Sequence, residues 1–378
     1  MVRLSKPSFS PDFFLLCLIA TVVGASFIPA RGVAVPWVET VADLAIALLF
    51  FLHGAKLSRT AILQGAGNWR LHVYVLASTY ILFPAIGLAM IALFRSIADG
   101  LLLTGLLYLT LLPSTVQSSI AFTAIAGGNV AAAVCSASLS NLIGIILTPL
   151  LVGLLMAVDG ESSALSWRSV QVIALQLLVP FLVGHMLRPW IGTFIERHKR
   201  LLMPIDRGSI LLVVYSAFSA AVAGGIWSQV GIVDLSLLLL LSLMMLMIVM
   251  GANVGLARLV GLPRADMIVL LFCGSKKSLV SGVPMAGAVF PAAQVGIIIL
   301  PLMIFHQIQL FLCAALANRF AREGATPQRP QLPRTAAEIE VAAQKLGLTI
   351  AKPCMAGVTA NLLLLDRHAD TLFATGKP

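Results

Sequence analysis

The chain has 378 residues, of which 59% are hydrophobic and 11% charged, and its mean hydropathy is +1.00. So apolar a composition excludes an ordinary soluble domain and places the chain in a bilayer. The net charge of +10 does not point to nucleic acid, because the basic residues gather in a few connecting segments and in the tail, as membrane topology requires.

Stretches of roughly 20 apolar residues cross a hydrocarbon core about 30 Å thick, and ten follow one another here. The first three are expected at Phe13 to Ile28, Val38 to Leu57 and Leu71 to Phe94, the third containing Pro84. The first is too long for a signal h-region and lacks an AxA site, so no cleavable leader is expected. The fourth, Gly100 to Ala126, is interrupted after Pro113; the fifth covers Val130 to Met156. Spans six to eight fall at Val170 to Met186, Gly208 to Trp227 and Leu235 to Leu259. The ninth, Ala265 to Val289, again has a polar middle, and the tenth covers Val295 to Phe320.

Loop charge orients this string. With the N-terminus inside, the inner segments hold Arg3, Lys6, Lys56, Arg59, Arg70, Arg188, Arg197, Lys199, Arg200, Arg207, Arg258 and Arg264, and the outer ones only Arg31, Arg95 and Arg168. The excess places both termini in the cytoplasm. From Ala321 the composition changes to a tail in which Pro327, Pro330 and Pro333 precede TAAEIEVAAQKLG. Thr335 and Glu338 have capping-box spacing, and Ile339, Ala342 and Leu346 share a face, so a short helix is expected there. A solvated appendage is its plainest reading. The run LLLL at 362–365 is too short to span.

Spans four and nine are the fourth in each half of five, and both are broken at the centre. At an offset of 159 residues LLPSTVQSSI (111–120) faces LLFCGSKKSL (270–279), with Ser119 on Ser278 and Gln117 on Lys276. Five spans per half reverse the direction of the second half, the arrangement of an inverted repeat whose paired broken helices hold a substrate near the midplane. Twelve residues of helix from Arg264 carry Lys276 about 18 Å inward, near the middle of the bilayer. Snorkelling from there is implausible, and an ammonium facing lipid costs at least about 2.5 to 3.5 kcal/mol, so Lys276 and Lys277 should face the interior or a wet cavity. Gly274 and Pro113 let the two helices open, and the candidate ligands are Ser114, Thr115, Gln117, Ser118, Ser119, Ser275 and Ser278 beside the lysines. Each hydroxyl alone reads as helix-packing glue; their concentration at a break is the signal. Asn129, after Gly127 and Gly128, reads first as a helix cap and second as a ligand. His306, Gln307 and Gln309 can reach the interior, and His53 and Asn253 read as satisfied interhelical groups. Cys17, Cys135, Cys273, Cys313 and Cys354 follow no metal or redox spacing. No GxSxG, HExxH or Walker loop occurs, so no enzyme, resident cofactor or metal centre is expected.

LPSTVQSSIAFTAIAGGNVAAAVCSASLSNLIGIILTPLL (112–151), IALLFFLHGAKL (46–57) and FCGSKKSLVSGVPMAGAVF (272–290) together resemble the bile acid:sodium symporter family, most closely its member-7-like branch with bacterial relatives. The resemblance covers about residues 10–320. It implies a transmembrane domain at 1–320 made of a panel (spans 1, 2, 6 and 7, at about 13–57 and 170–227) and a core (spans 3–5 and 8–10, at about 71–156 and 235–320), leaving 321–378 as a cytoplasmic tail. It implies a secondary transporter moving a small organic anion between core and panel, here in a bacterial inner membrane. Sodium would be the expected coupling ion. Matching through GGN, however, puts the family's Ser-Asn pair on Ser119 and Ile120, its later hydroxyls near Ala133 and Ala137, and its second-site Glu and Gln near Phe272 and Lys276. Oxygens at Ser119, Ser136 and Ser138, with Ser140 and Asn141 nearby, are what remains for sodium. An ammonium at the second break would itself repel a cation, so Lys276 is expected to replace one sodium and either to hold the anionic substrate or to carry a coupling proton. The alternative is a regulatory or structural membrane protein that keeps the fold, transports nothing and uses its basic tail for partners or anionic lipid.

Overall fold

A computed structural model of the chain describes residues 13–56, 66–97, 99–156, 167–225, 230–324, 333, 335–345 and 347–374. Arg3, Lys6, Arg59, Pro327, Pro330 and Leu346, and the expected span ends at Leu57 and Trp227, lie outside them. Among the described residues all regular structure is helical and there is no strand. Two compact units are present, 1–324 and 325–378.

The first unit begins with α1 (Phe13–Phe27) and α2 (Ala34–Lys56). Next come α3 (Trp69–Ala77), a π-helical segment (Ser78–Leu82) and α4 (Phe83–Phe94), which form one apolar rod. A break then separates α5 (Gly100–Thr110) from α6 (Val116–Ile125). Long helices follow: α7 (Val130–Leu155), α8 (Trp167–Arg197), α9 (Lys199–Ala223) and α10 (Ile232–Leu259). A second break separates α11 (Arg264–Gly274) from α12 (Leu279–Val289), and α13 (Ala292–Gly324) closes the unit. Among the described residues eight segments are long and apolar enough to cross a membrane: 34–56, 69–94, 130–155, 177–195, 202–223, 232–259, 264–289 and 292–323. The helices at 16–27, 100–110 and 116–125 are apolar but shorter.

Local chemistry sets the helix ends. Asp99 caps α5, its Oδ1 accepting from the N–H groups of Leu101 and Leu102 at 2.8 and 3.3 Å. Ser278 caps α12 by accepting from Ser281 N–H at 3.1 Å. The GGN stretch ends α6: Gly127 takes φ +72, which a side chain would resist, while Gly128 N–H reaches Thr123 O and Gly127 N–H reaches Ala124 O at 2.8 and 3.2 Å.

Helices α8 and α9 depart from the expected spans. They continue to Arg197 and start at Lys199, so Arg188, Arg197, Lys199, Arg200 and Arg207, expected in a connecting segment, are helical. Apolar runs mark only the hydrocarbon-facing part of a helix; its hydrogen-bond ladder can go on where charges are solvated or paired. Lys56 of α2 and Asp206 of α9 form such an ion pair.

The second unit holds α14 (Ala336–Lys345) and α15 (Met355–Ala374), the latter absorbing the LLLL run. Thr335 and Glu338 make the expected reciprocal cap, each accepting from the other's N–H at 3.3 Å, and Ile339 is buried.

In the first unit α2 and α8 pack backbone on backbone. A Cβ on Gly54 would overlap the Phe181 carbonyl oxygen, and one on Gly184 would overlap that of Phe51. Gly54→Val should therefore force the helices apart and lower the melting temperature in detergent by roughly 5 °C or more, whereas Gly251→Ala, with nothing within 4 Å of the added Cβ, should not; a thermal melt of the three proteins checks this.

Candidate functional site

Opening a helix inside a protein strands main-chain carbonyls that neither lipid nor bulk water can satisfy, so each needs a partner within the fold. Between α5 and α6 the carbonyls of residues 110–114 all have one. Thr110 O and Leu112 O accept from Lys277 Nζ, both at 2.7 Å. Leu111 O accepts from Thr148 Oγ1 at 2.8 Å, Pro113 O from Ser278 N–H at 2.9 Å, and Ser114 O from Asn141 Nδ2 at 2.6 Å. Ser140 Oγ takes the Ser114 N–H at 3.0 Å.

The second break is served in part from the first and in part from the helices around it. Phe272 O accepts from Ser119 Oγ at 3.2 Å and Cys273 O from Ser114 Oγ at 2.6 Å. Gly274 O accepts from Ser78 Oγ at 2.9 Å, and Asn253 Nδ2 donates to Ser275 Oγ at 2.8 Å. Lys277 O accepts from Thr115 Oγ1 at 2.9 Å and Gln309 Nε2 at 3.0 Å, while Lys277 N–H donates to Gln309 Oε1 at 2.9 Å. At the 159-residue offset two of these bonds link corresponding positions: Ser114 Oγ meets the carbonyl of Cys273, and Ser119 Oγ on Phe272 O corresponds by residue to Ser278 on Pro113 O, where the donor is the main-chain N–H instead of a hydroxyl.

The adjacent lysines are both wholly buried, and no carboxylate is bonded to either among the described residues. Their surroundings differ. Lys277 Nζ has three carbonyl partners, the third being Thr79 O at 2.8 Å, and lies 4.2 Å from the Phe83 ring centroid. Among the described residues Lys276 Nζ has one hydrogen bond, to Ser118 Oγ at 3.1 Å, and it sits 4.0 Å from the Phe122 ring centroid and 6.0 Å from that of Phe272. An ammonium carries three donors, so Lys276 holds donor capacity that the described residues do not use.

Of the residues singled out by sequence, Pro113, Ser114, Thr115, Ser118, Ser119, Gly274, Ser275, Lys276, Lys277 and Ser278 come together here. Gln117 is exposed and takes no part in these bonds. Asn129 caps α7, Oδ1 accepting from Ala132 N–H at 3.1 Å, while its Nδ2 donates to Asp266 Oδ1 at 3.0 Å. Ser136 meets His72 Nδ1 at 2.7 Å, and no bond joins Ser119, Ser136 and Ser138 to one another.

Thr79, Ser78, Thr148 and Asp266 were not found by sequence reasoning. The signal for Thr79 was Pro84. Within the π segment Phe83 N–H bonds back to Ser78 O, five residues away; in that register Thr79 O would need an N–H from residue 84, and proline has none.

Residues 12–322 match the model of the SBF-like CPA transporter family. The chain is 54% identical over 313 residues to the YfeH protein of Escherichia coli (strain K12), covering 82% of this chain and 93% of that one. To sodium/bile acid cotransporter 7 of Mus musculus it is 27% identical over 320 residues, covering 81% and 91%, and to that of Danio rerio 26% identical over 315 residues, covering 81% and 92%.

Gln309→Leu would orphan the Lys277 N–H and leave Lys277 O with Thr115 Oγ1 as its remaining donor. At about 1 to 3 kcal/mol for an unsatisfied buried group, the variant should melt several degrees below the wild type, while Gln117→Leu should melt with it; differential scanning of the purified proteins reads both.

Proposed function

Because the chain belongs to the SBF-like CPA transporter family, related to the bile acid:sodium symporters, we propose that this integral membrane protein is a secondary transporter that moves a small organic anion by alternating access. The observation that carries the reading is the Lys276 ammonium, buried at the meeting of two helix breaks with, among the described residues, a single hydroxyl partner and two aromatic faces. A desolvated cation with free donors is suited to a carboxylate or another oxyanion. Phe122 and Phe272 offer apolar surface for the organic part.

The ten spans are proposed as two five-helix halves of opposite direction, with spans four and nine broken and crossing. The bonds linking corresponding positions at the 159-residue offset support this, since a two-fold relation makes contacts occur in mirrored pairs. Spans 1, 2, 6 and 7 form the panel and spans 3–5 and 8–10 the core. Complete burial of Lys276 fits an occluded arrangement in which anion access needs movement of core against panel. The basic bias of the inner segments supports cytoplasmic termini in a bacterial plasma membrane, with the tail facing anionic lipid. Sodium or a proton would supply the coupling gradient, with Ser119, Ser136 and Ser138 as the oxygens nearest to the expected sodium positions. The ligand role extends to Ser118 and Thr115, and to Asn129 as a support for the α6–α7 turn.

Reconstitution with a panel of radiolabelled organic anions tests this, imposing sodium, choline and pH gradients one at a time. Uptake of at least one anion is expected, reduced about tenfold or more in Lys276→Gln, since a hydrogen bond to a charged group contributes about 1.5 to 3 kcal/mol. Strict sodium dependence with Lys276→Gln unaffected would remove the role given to Lys276.

A further inference from the structure

The three oxygens around Lys277 Nζ are free for separate reasons. Thr79 O is released by the π register and Pro84. Thr110 O is the last carbonyl of α5, and the N–H of Ser114, its partner in a continuing helix, goes to Ser140 Oγ. Leu112 O lies within the break, where Val116 starts a new helix. Carbonyls from a bulged rod and from a broken one thus converge on one point at 2.7 to 2.8 Å, with the Phe83 ring closing a further side at 4.2 Å. Only the protonated amine offers three N–H groups to three acceptors; a neutral amine would turn a lone pair toward an oxygen.

Oxygen dipoles collected around one point, with no carboxylate and no other donor bonded there among the described residues, are the arrangement by which proteins hold a small hard cation. We propose that Thr79 O, Thr110 O and Leu112 O form a monovalent-cation site whose permanent occupant is the protein's own Lys277 ammonium. The tethered charge takes the place of a diffusible ion, so the two breaks are held together whether or not sodium is present. Lys277 then has a fixed role, and Lys276 beside it remains available for cargo. This inference does not depend on what the protein carries.

The experiment measures thermal stability of purified full-length protein at constant ionic strength in choline, sodium, potassium, methylammonium and ethylammonium chloride. The wild-type melting temperature in each salt is the reference, so that stabilisation by sodium bound elsewhere cancels in the difference between variant and wild type. Lys277→Ala, which vacates the site, should melt roughly 5 °C or more lower in choline and recover saturably in sodium or in an alkylammonium. Lys277→Met, which refills the space without charge, should stay low in every salt. Either variant as stable as wild type in choline, or a low Lys277→Ala that answers to no cation, overturns the proposal. Should neither accumulate in membranes, Lys277→Arg and the neutral Lys277→Gln decide: accumulation of the arginine variant alone supports a need for positive charge, whereas accumulation of Lys277→Gln, or loss of both, overturns the proposal.

Discussion

The structure depends on one constraint: a main-chain carbonyl inside a protein body must find a donor. Among the described residues two helices are opened, at 111–115 and 275–278, and their neighbours are recruited to serve the stranded oxygens. Serine and threonine hydroxyls, two side-chain amides and a lysine do most of this, and each break supplies donors to the other. The breaks therefore form one cooperative unit. An opened helix at one position without its counterpart would leave Phe272 O, Cys273 O and Pro113 O without the donors they have here.

That interdependence also explains why two neighbouring lysines can be so different. In a non-helical stretch consecutive side chains leave in different directions. Lys277 turns toward α4 and the end of α5, where main-chain oxygens are concentrated; Lys276 turns toward α6, where it finds a hydroxyl and rings. Full satisfaction makes the first a fastener. Partial satisfaction leaves the second able to recognise something from outside, and the same low-polarity surroundings that make its burial costly would strengthen a bond to an incoming oxyanion.

Much of the architecture was legible because hydrophobic run length and interruption are properties of side chains. The breaks near Pro113 and Gly274, the burial of the lysines and the cap at Thr335 all followed from residue identity. What escaped was carried by main-chain atoms or by distant pairing. No letter in the sequence marks Thr79 O as an acceptor, and Pro84 reads as a simple kink unless the π register is known. The Asn129–Asp266 bond joins positions 137 residues apart. The extension of α8 and α9 past their apolar cores was hidden because hydropathy stops at the interface while the helix does not.

Gly54 and Gly184 have a mechanical meaning as well. Side chains between helices act as a compliant layer that lets two rods slide by changing rotamers, and between α2 and α8 that layer is missing at two levels, with bare backbone facing carbonyl oxygen. Such a pair shears poorly and behaves as a single plank, transmitting a displacement of one helix to the other without slack. Relative motion within the protein would then be taken up at softer, side-chain-lined seams elsewhere.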